Sequence, residues 1–155
     1  MRVGIGYDVH AFKKGEKFTL GGVVIESDYG LLGHSDADVL VHSIMDAMLG
    51  AAGLNDIGIH FPDNNEDYKD ISSLVLLRIV NDKVKSMGFK IINIDSVVVL
   101  EIPKIASYIK TMREKISRIL GIKENNVNIK ATTSEGLGFC GRKEGVAAHS
   151  VALLQ

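Results

Sequence analysis

The sequence predicts a layered sandwich with helices stacked on one side of a β-sheet. Three observations lead there. Strand-like segments alternate with segments of helical period along the whole chain. The length of 155 residues suits one compact domain spanning residues 1–155. With 46% apolar and 24% charged residues, the composition is that of a globular chain able to bury a core.

The elements follow in order. Residues 2–7 read as a strand, and Phe18–Leu20 and Val23–Ile25, separated by Gly21 and Gly22, read as a hairpin or bulged pair. Residues 35–50 read as a helix with Ser35 at its N-cap and Asp38 in the place of a capping-box acid. A second helix spans residues 71–87, with Leu77, Val80, Val84 and Met87 at helical spacing. Residues 90–101 read as a long strand ending in an apolar run. Residues 105–120 read as a third helix with Ile109, Met112, Ile116 and Ile119 on one face, stopped by Gly121. Residues 127–132 read as a strand. Residues 146–154 are apolar and fit strand or helix by pattern alone.

Several function classes are disfavoured at this level. A net charge of −1 offers no global field for nucleic acid or an anionic membrane. A polyanionic ligand would therefore need local cations. Cys140 is the single cysteine, so no internal disulfide forms, which accords with a cytoplasmic location. The first ten residues do not read as a targeting peptide. No run approaches the roughly 18 apolar residues of a membrane span.

The candidate chemistry begins with Asp8 and His10, two apart on a strand and hence on one face. Asp-x-His is a metal-ligand spacing, though a turn-capping Asp beside a solvated His gives the same pattern. The helix that follows is apolar almost all round, yet Asp38, His42 and Asp46 recur every four residues as one polar stripe. A metal at His42 with flanking carboxylates would offset the cost of burying it, as would an internal Asp-His-Asp ladder. Asp8, His10 and His42 together suit zinc or a similar first-row ion with a position left open.

The remaining signals are local. His34 and Ser35 stand just before the helix, where free backbone N–H groups attract anions, although a loop histidine in isolation reads as solvated. Asp56, Gly58, Phe61 and Asp63 lie in loops where carboxylates either meet sugar hydroxyls or make turns. Ala131, Thr132, Thr133, Ser134 and Glu135 run from a strand into a glycine turn, a sequence suited to phosphate plus a hard cation. Lys104, after Pro103, and Arg142 are candidate phosphate cations. Lys143 and Glu144 equally fit a solvated charge run, and Cys140 reads as a small packed residue.

Four stretches, in order and with compatible spacing over the full length, resemble the 2-C-methyl-D-erythritol 2,4-cyclodiphosphate synthase family. They are Asp8-Val9-His10; Gly33-His34-Ser35-Asp36-Ala37-Asp38 with His42; residues 56–63; and residues 131–139 with 141–145. The resemblance implies an α+β subunit, a two-layer sandwich of a mixed β-sheet with helices on one face, assembled as a homotrimer with sites between subunits. It implies conversion of 4-diphosphocytidyl-2-C-methyl-D-erythritol 2-phosphate to the cyclic diphosphate and CMP, in the non-mevalonate route to isoprenoids. It puts a Zn²⁺-type ion on Asp8, His10 and His42, the first two of which also lie at the substrate, and a Mg²⁺ or Mn²⁺ ion on Glu135 with the substrate diphosphate. His34, Ser35, Asp56, Gly58, Phe61 and Asp63 would line the methylerythritol phosphate pocket. Leu100, Pro103, Lys104 and Ala106, with Ala131, Thr132 and Thr133, would line the cytidine pocket of a neighbour. Phe139 and Arg142 match substrate-side positions, and His34 and Thr133 would stabilise charge as it shifts in the transition state.

Asn64-Asn65 stands where the family usually has Thr-Asp, and Ile102 where a Lys is frequent before Pro103. Neither departure touches Asp8, His10 or His42. Two other readings fit the residue types: a non-haem iron enzyme using two His and one carboxylate, and a non-catalytic trimeric metal-containing binding protein. The second would not need Glu135 at a further metal site.

Overall fold

The computed structural model describes residues 1–62 and 64–155. Its centre is a five-stranded mixed sheet in the order β4-β1-β7-β5-β6, accompanied by a β2-β3 hairpin. The strands are β1 (Arg2–Lys14), β2 (Phe18–Leu20), β3 (Val23–Ile25), β4 (Tyr29–Leu31), β5 (Ile91–Val99), β6 (Val127–Thr132) and β7 (Gly145–Leu154). The helices are α1 (Val39–Ala52), α2 (Ile57–His60), α3 (Ser73–Ser86), α4 (Ile109–Leu120) and α5 (Gly138–Gly141). β1 and β7 run antiparallel from Arg2↔Leu154 to Ala11↔Gly145, while β5 and β6 run parallel from Ile94↔Val127 to Val99↔Thr132. The long carboxy-terminal segment, ambiguous by pattern, is thus a central strand. Among the described residues, no helix is long and apolar enough to cross a membrane.

One face of the sheet carries the core. Val146, Ala148, Ala152 and Leu154 of β7 point inward with Ile94 and Val98 of β5, and α1 packs over them. α3 covers α1 from the other side, which explains why α1 is apolar almost all round. Ser43 of α1, Ser150 of β7 and Ser96 of β5 join their buried hydroxyls in a chain of two 2.7 Å hydrogen bonds. The other sheet face is uncovered: Val3 is 68% and Ile5 73% exposed, and Tyr7, Val9 and Val151 lie beside them.

The close seat of α1 on β1 depends on two glycines. A Cβ on Gly6 would stand 1.9 Å from the Ser43 carbonyl oxygen, and one on Gly4 would stand 2.1 Å from that of Ala47. Gly4, Gly6, Asp8 and His10 alternate onto the same face of β1. The two glycines therefore bring the helix into contact, and the next two positions present polar groups to it.

Several boundaries differ from the sequence reading. β1 continues past Tyr7: β7 pairs with it as far as Ala11, and β4, a three-residue strand with no alternation to announce it, pairs with Phe12 to Lys14. α1 starts at Val39, not Ser35, and its cap is Asp38, whose carboxylate accepts the Val41 N–H at 3.1 Å. Ala37, at φ 53°, interrupts any earlier helical turn. Residues 106–108 form a 3₁₀ turn before α4, and Gly121 closes α4 in the left-handed conformation as expected.

Candidate active site

Strand β1 supplies Asp8 and His10, and α1 supplies His42 from directly above. Asp8 Oδ2 lies 3.0 Å from His10 Nε2 and 3.0 Å from His42 Nδ1, and the two imidazole nitrogens are 3.2 Å apart. Among the described residues these three form a set whose donor atoms all lie within 4.8 Å of one another. The outer ring nitrogens are engaged elsewhere: His10 Nδ1 donates to the Leu32 carbonyl at 2.7 Å, and His42 Nε2 lies 2.8 Å from Ser73 Oγ. With a proton on each outer nitrogen, both inner nitrogens turn lone pairs toward the carboxylate. Two imidazoles and one carboxylate converging in this way fit a first-row divalent ion with at least one open position.

Protonated on both nitrogens, the same rings would instead donate to Asp8, and the electrostatics follow that pairing. Burial pushes the Asp8 carboxyl up, but the hydrogen bonds and charges of His10 and His42 prevail and bring it to about 2. Burial pulls His10 down, and its bond to Asp8, followed by that carboxylate's charge and the Leu32 carbonyl, overturns this and raises it.

The triad lies in the wall of a 240 Å³ cavity. Of the predicted substrate residues, His34, Ser35, Gly58 and Phe61 line it together with Asp8 and His10. Asp56 lies outside the lining and caps α2, accepting the Ile59 N–H at 3.2 Å. Asp63 lies outside the described residues. His34 turns Nε2 to the Asn65 carbonyl at 3.2 Å, so one of the two departing asparagines holds this histidine through its backbone. Gly33, Met45, Ile57, Tyr68 and Leu76 complete the wall, and of these Met45, Tyr68 and Leu76 escaped the sequence reading as site residues. Met45 follows His42 by three residues, a spacing that signals a shared helix face; Tyr68 and Leu76 gave no such signal.

The second predicted group assembles elsewhere. Parallel pairing of β5 with β6 brings residues 100–106 beside residues 131–135, with the Leu100 N–H donating to the Thr132 carbonyl at 3.0 Å. The Ile102–Pro103 peptide is cis. Lys104, Ala106, Ala131, Thr132, Glu135 and Phe139 are exposed, whereas Leu100 is buried. Thr133 Oγ1 donates to Glu135 Oε1 at 2.6 Å, and Glu135 adopts a φ of 54°. Glu101, which the sequence reading did not single out, holds this turn. Its Oε1 accepts the Ser134 N–H at 3.0 Å and the Gly136 N–H at 3.4 Å.

These two groups do not meet within the chain. β1 and β6 are separated by β7 and β5, three strand steps, or roughly 14 Å at the usual spacing of paired strands. None of residues 100–106 or 131–142 lines the triad cavity.

The polar stripe of α1 needs correction. Asp38 does not support His42: it is fully buried and accepts the N–H groups of Gly21, Gly22 and Val41, tying the hairpin to α1. Asp46 accepts the Ile57 N–H at 2.8 Å, so the polar stripe resolves into three separate jobs rather than a ladder. Asp38 thus answers one N–H at the N-terminus of α1 with its own carboxylate. Arg142 is exposed and forms a two-bond pair with Glu144 at 2.9 Å each.

Comparison with known proteins identifies the lineage. The YgbB family profile matches residues 1–155. The 2-C-methyl-D-erythritol 2,4-cyclodiphosphate synthase of Chlorobium phaeobacteroides is 56% identical over 155 residues, covering 100% of this chain and 98% of that protein. Among solved structures, the bifunctional IspDF of Campylobacter jejuni superposes with a TM-score of 0.95 at 46% identity over 99% of this chain, which spans 42% of that longer protein. A 2C-methyl-D-erythritol-2,4-cyclodiphosphate synthase in its CDP-bound form gives a TM-score of 0.91 at 34% identity, covering 99% of this chain and 100% of that one. These relatives favour neither the iron-enzyme nor the non-catalytic reading. Matched along its whole length in sequence and in fold, the chain belongs to the YgbB family, that of the 2-C-methyl-D-erythritol 2,4-cyclodiphosphate synthases.

Proposed function

We propose that this chain converts 4-diphosphocytidyl-2-C-methyl-D-erythritol 2-phosphate into 2-C-methyl-D-erythritol 2,4-cyclodiphosphate and CMP. The observation that carries the reading is the convergence of Asp8, His10 and His42 in the wall of a cavity that His34 and Ser35 also line. The step is internal. An oxygen of the 2-phosphate forms a bond to the β-phosphorus, the bond from that phosphorus to the bridging oxygen breaks, and CMP leaves with the electron pair. Such an oxygen is anionic at neutral pH, so no general base is required.

The obstacle is repulsion between phosphates that must approach each other. Divalent cations, Zn²⁺ on Asp8, His10 and His42 and Mg²⁺ or Mn²⁺ on Glu135, supply charge neutralisation and alignment when bound. The protein's own groups do the rest. His34 and Ser35 offer donors beside the methylerythritol phosphate, with Asp56, Gly58, Phe61 and Asp63 on the polyol side. Thr133 sits beside Glu135 to meet charge as it moves to the leaving group. Leu100, Pro103, Lys104, Ala106, Ala131 and Thr132 take the cytidine, and Phe139 and Arg142 complete the substrate side.

The working form is a homotrimer with each site shared between neighbours. Two features support this: the separation of the triad from the Glu135 turn within one chain, and the uncovered apolar sheet face around Val3 and Ile5. Residues 1–155 act as one domain, and a single buried cysteine suits a cytoplasmic setting.

Phosphorus NMR of the reaction with the CDP-linked substrate tests the chemistry. A cyclic diphosphate with stoichiometric CMP is expected. A product containing only phosphate monoesters would show hydrolysis and refute cyclisation.

A further inference from the structure

His42 is contacted on both sides of its ring, and the side away from Asp8 leads into a second set of buried groups. Nε2 lies 2.8 Å from Ser73 Oγ, with Ser35 Oγ farther off at 3.2 Å. Ser73 is fully buried and is the first residue of α3. Its hydroxyl is in close contact with Asp36 Oδ1, and its backbone N–H donates to Asp36 Oδ2 at 2.9 Å. Asp36 also lies 3.3 Å from the Asp38 N–H through Oδ1. The local cap residue Ser72 makes no side-chain capping bond, so Asp36 caps α3 from a distant segment.

The proton inventory gives this chain a direction. An ionised carboxylate only accepts, so the single Ser73 hydroxyl proton points at Asp36. Ser73 Oγ then turns a lone pair toward His42, and His42 must donate from Nε2. An imidazole with its proton on Nε2 carries its lone pair on Nδ1, the atom 3.0 Å from Asp8.

We propose that Asp36 and Ser73 are positioning residues for the metal centre: the relay from Asp36 through Ser73 to His42 fixes the ring and presents Nδ1 to the ion. The inference rests on the metal-site reading of Asp8, His10 and His42. Outer partners of this kind orient a ligand and raise its basicity, and losing one typically weakens metal binding roughly 10- to 100-fold. Asp36 couples that task to the fold, because the same carboxylate pins the start of α3 over α1.

The test is zinc affinity, measured by competition with a chromogenic chelator on the full chain, for Ser73→Ala, Ser73→Thr, Ser73→Val and Asp36→Asn, each with a thermal melt. Thr and Val have nearly the same shape and differ in the hydroxyl. Retention by Ser73→Thr with a roughly 10- to 100-fold loss in Ser73→Ala and Ser73→Val is expected. Asp36→Asn, which keeps the hydroxyl but removes the charged acceptor, is expected to lose affinity as well. Equal affinity in Ser73→Thr and Ser73→Val, or wild-type affinity in a folded Ser73→Ala, overturns the relay. Nitrogen-15 NMR of His42 reads the same point without metal. A hydrogen-bonded Nε2–H signal in the wild type that is lost or shifted in Ser73→Ala supports the relay, and an unchanged signal overturns it. A wild-type protein that holds no stoichiometric zinc would instead refute the metal reading, while the His42 signal still decides the relay.

Discussion

At the scale of single residues, the two metal assignments make separable demands. His42 supplies one of three converging donors and is held from both sides, so His42→Ala removes a ligand without freeing another nearby. Purified wild type is expected to carry close to one first-row divalent ion per chain and His42→Ala to carry almost none. Elemental analysis decides this, and full occupancy in the variant would sink the triad. Glu135 stands apart, in an exposed turn that Glu101 holds by backbone N–H groups. Glu135→Gln keeps the shape but offers a poorer ligand to a hard cation. The variant is expected to turn over more slowly and respond less to added Mg²⁺ or Mn²⁺, while its tightly held ion stays in place. Loss of both ions together would point to a folding defect and not to a second cation at Glu135.

At the scale of elements, the contact between β1 and α1 joins stability to the site. Gly6→Ala would drive a Cβ into the Ser43 carbonyl, a backbone atom that cannot rotate away. A loss of about 2–3 kcal/mol or more is expected, at the upper end of overpacking effects. Metal affinity should fall with it, since separating α1 from β1 moves His42 from Asp8. Gly50→Ala, on the exposed side of the same helix with nothing nearer than 3.8 Å, is the control and should gain roughly 0.5–1 kcal/mol from helix propensity. Chemical denaturation of both variants checks the pair, and equal stability of the two would show that the close seat of α1 does not matter. The same contact shows what the sequence carries legibly. Asp8 and His10 were readable because strand alternation puts them on one face, and His42 because a polar residue on an all-apolar helix demands a partner. The hairpin, α4 and its Gly121 stop followed from periodicity and turn chemistry. Long-range choices were not readable. Asp38 caps its own helix while binding two glycines some 16 or 17 residues earlier, and Asp36 reaches 37 residues ahead to Ser73. Both look like local loop acids until the fold supplies their donors. β4 and the last three residues of β1 depend on each other, and neither has a pattern of its own.

At the scale of the whole molecule, the question is whether one chain holds a complete site. The triad cavity and the Glu135 turn lie on strands three steps apart, and no residue of that turn lines the triad cavity. In a cyclic trimer each site would take its triad half from one subunit and its nucleotide half from the next. A His42→Ala chain then lacks only the first half, and a chain altered at both Thr133 and Glu135 lacks only the second. Each mutant trimer should be inactive alone. After equal amounts are unfolded, mixed and reassembled at random, a site works when its triad half comes from the second mutant and its nucleotide half from the first. Each condition is met half the time, so about one quarter of sites should be intact in a closed cyclic assembly. Metal loss in the His42→Ala chains would lower their incorporation and hence the recovered activity, so the composition of the mixed trimers is measured by native mass spectrometry alongside turnover. Activity that rises with the fraction of mixed trimers supports the shared site. Mixed trimers that form and stay as inactive as their parents would mean that each site lies within one subunit, and that the separation of the two halves along the sheet has another cause.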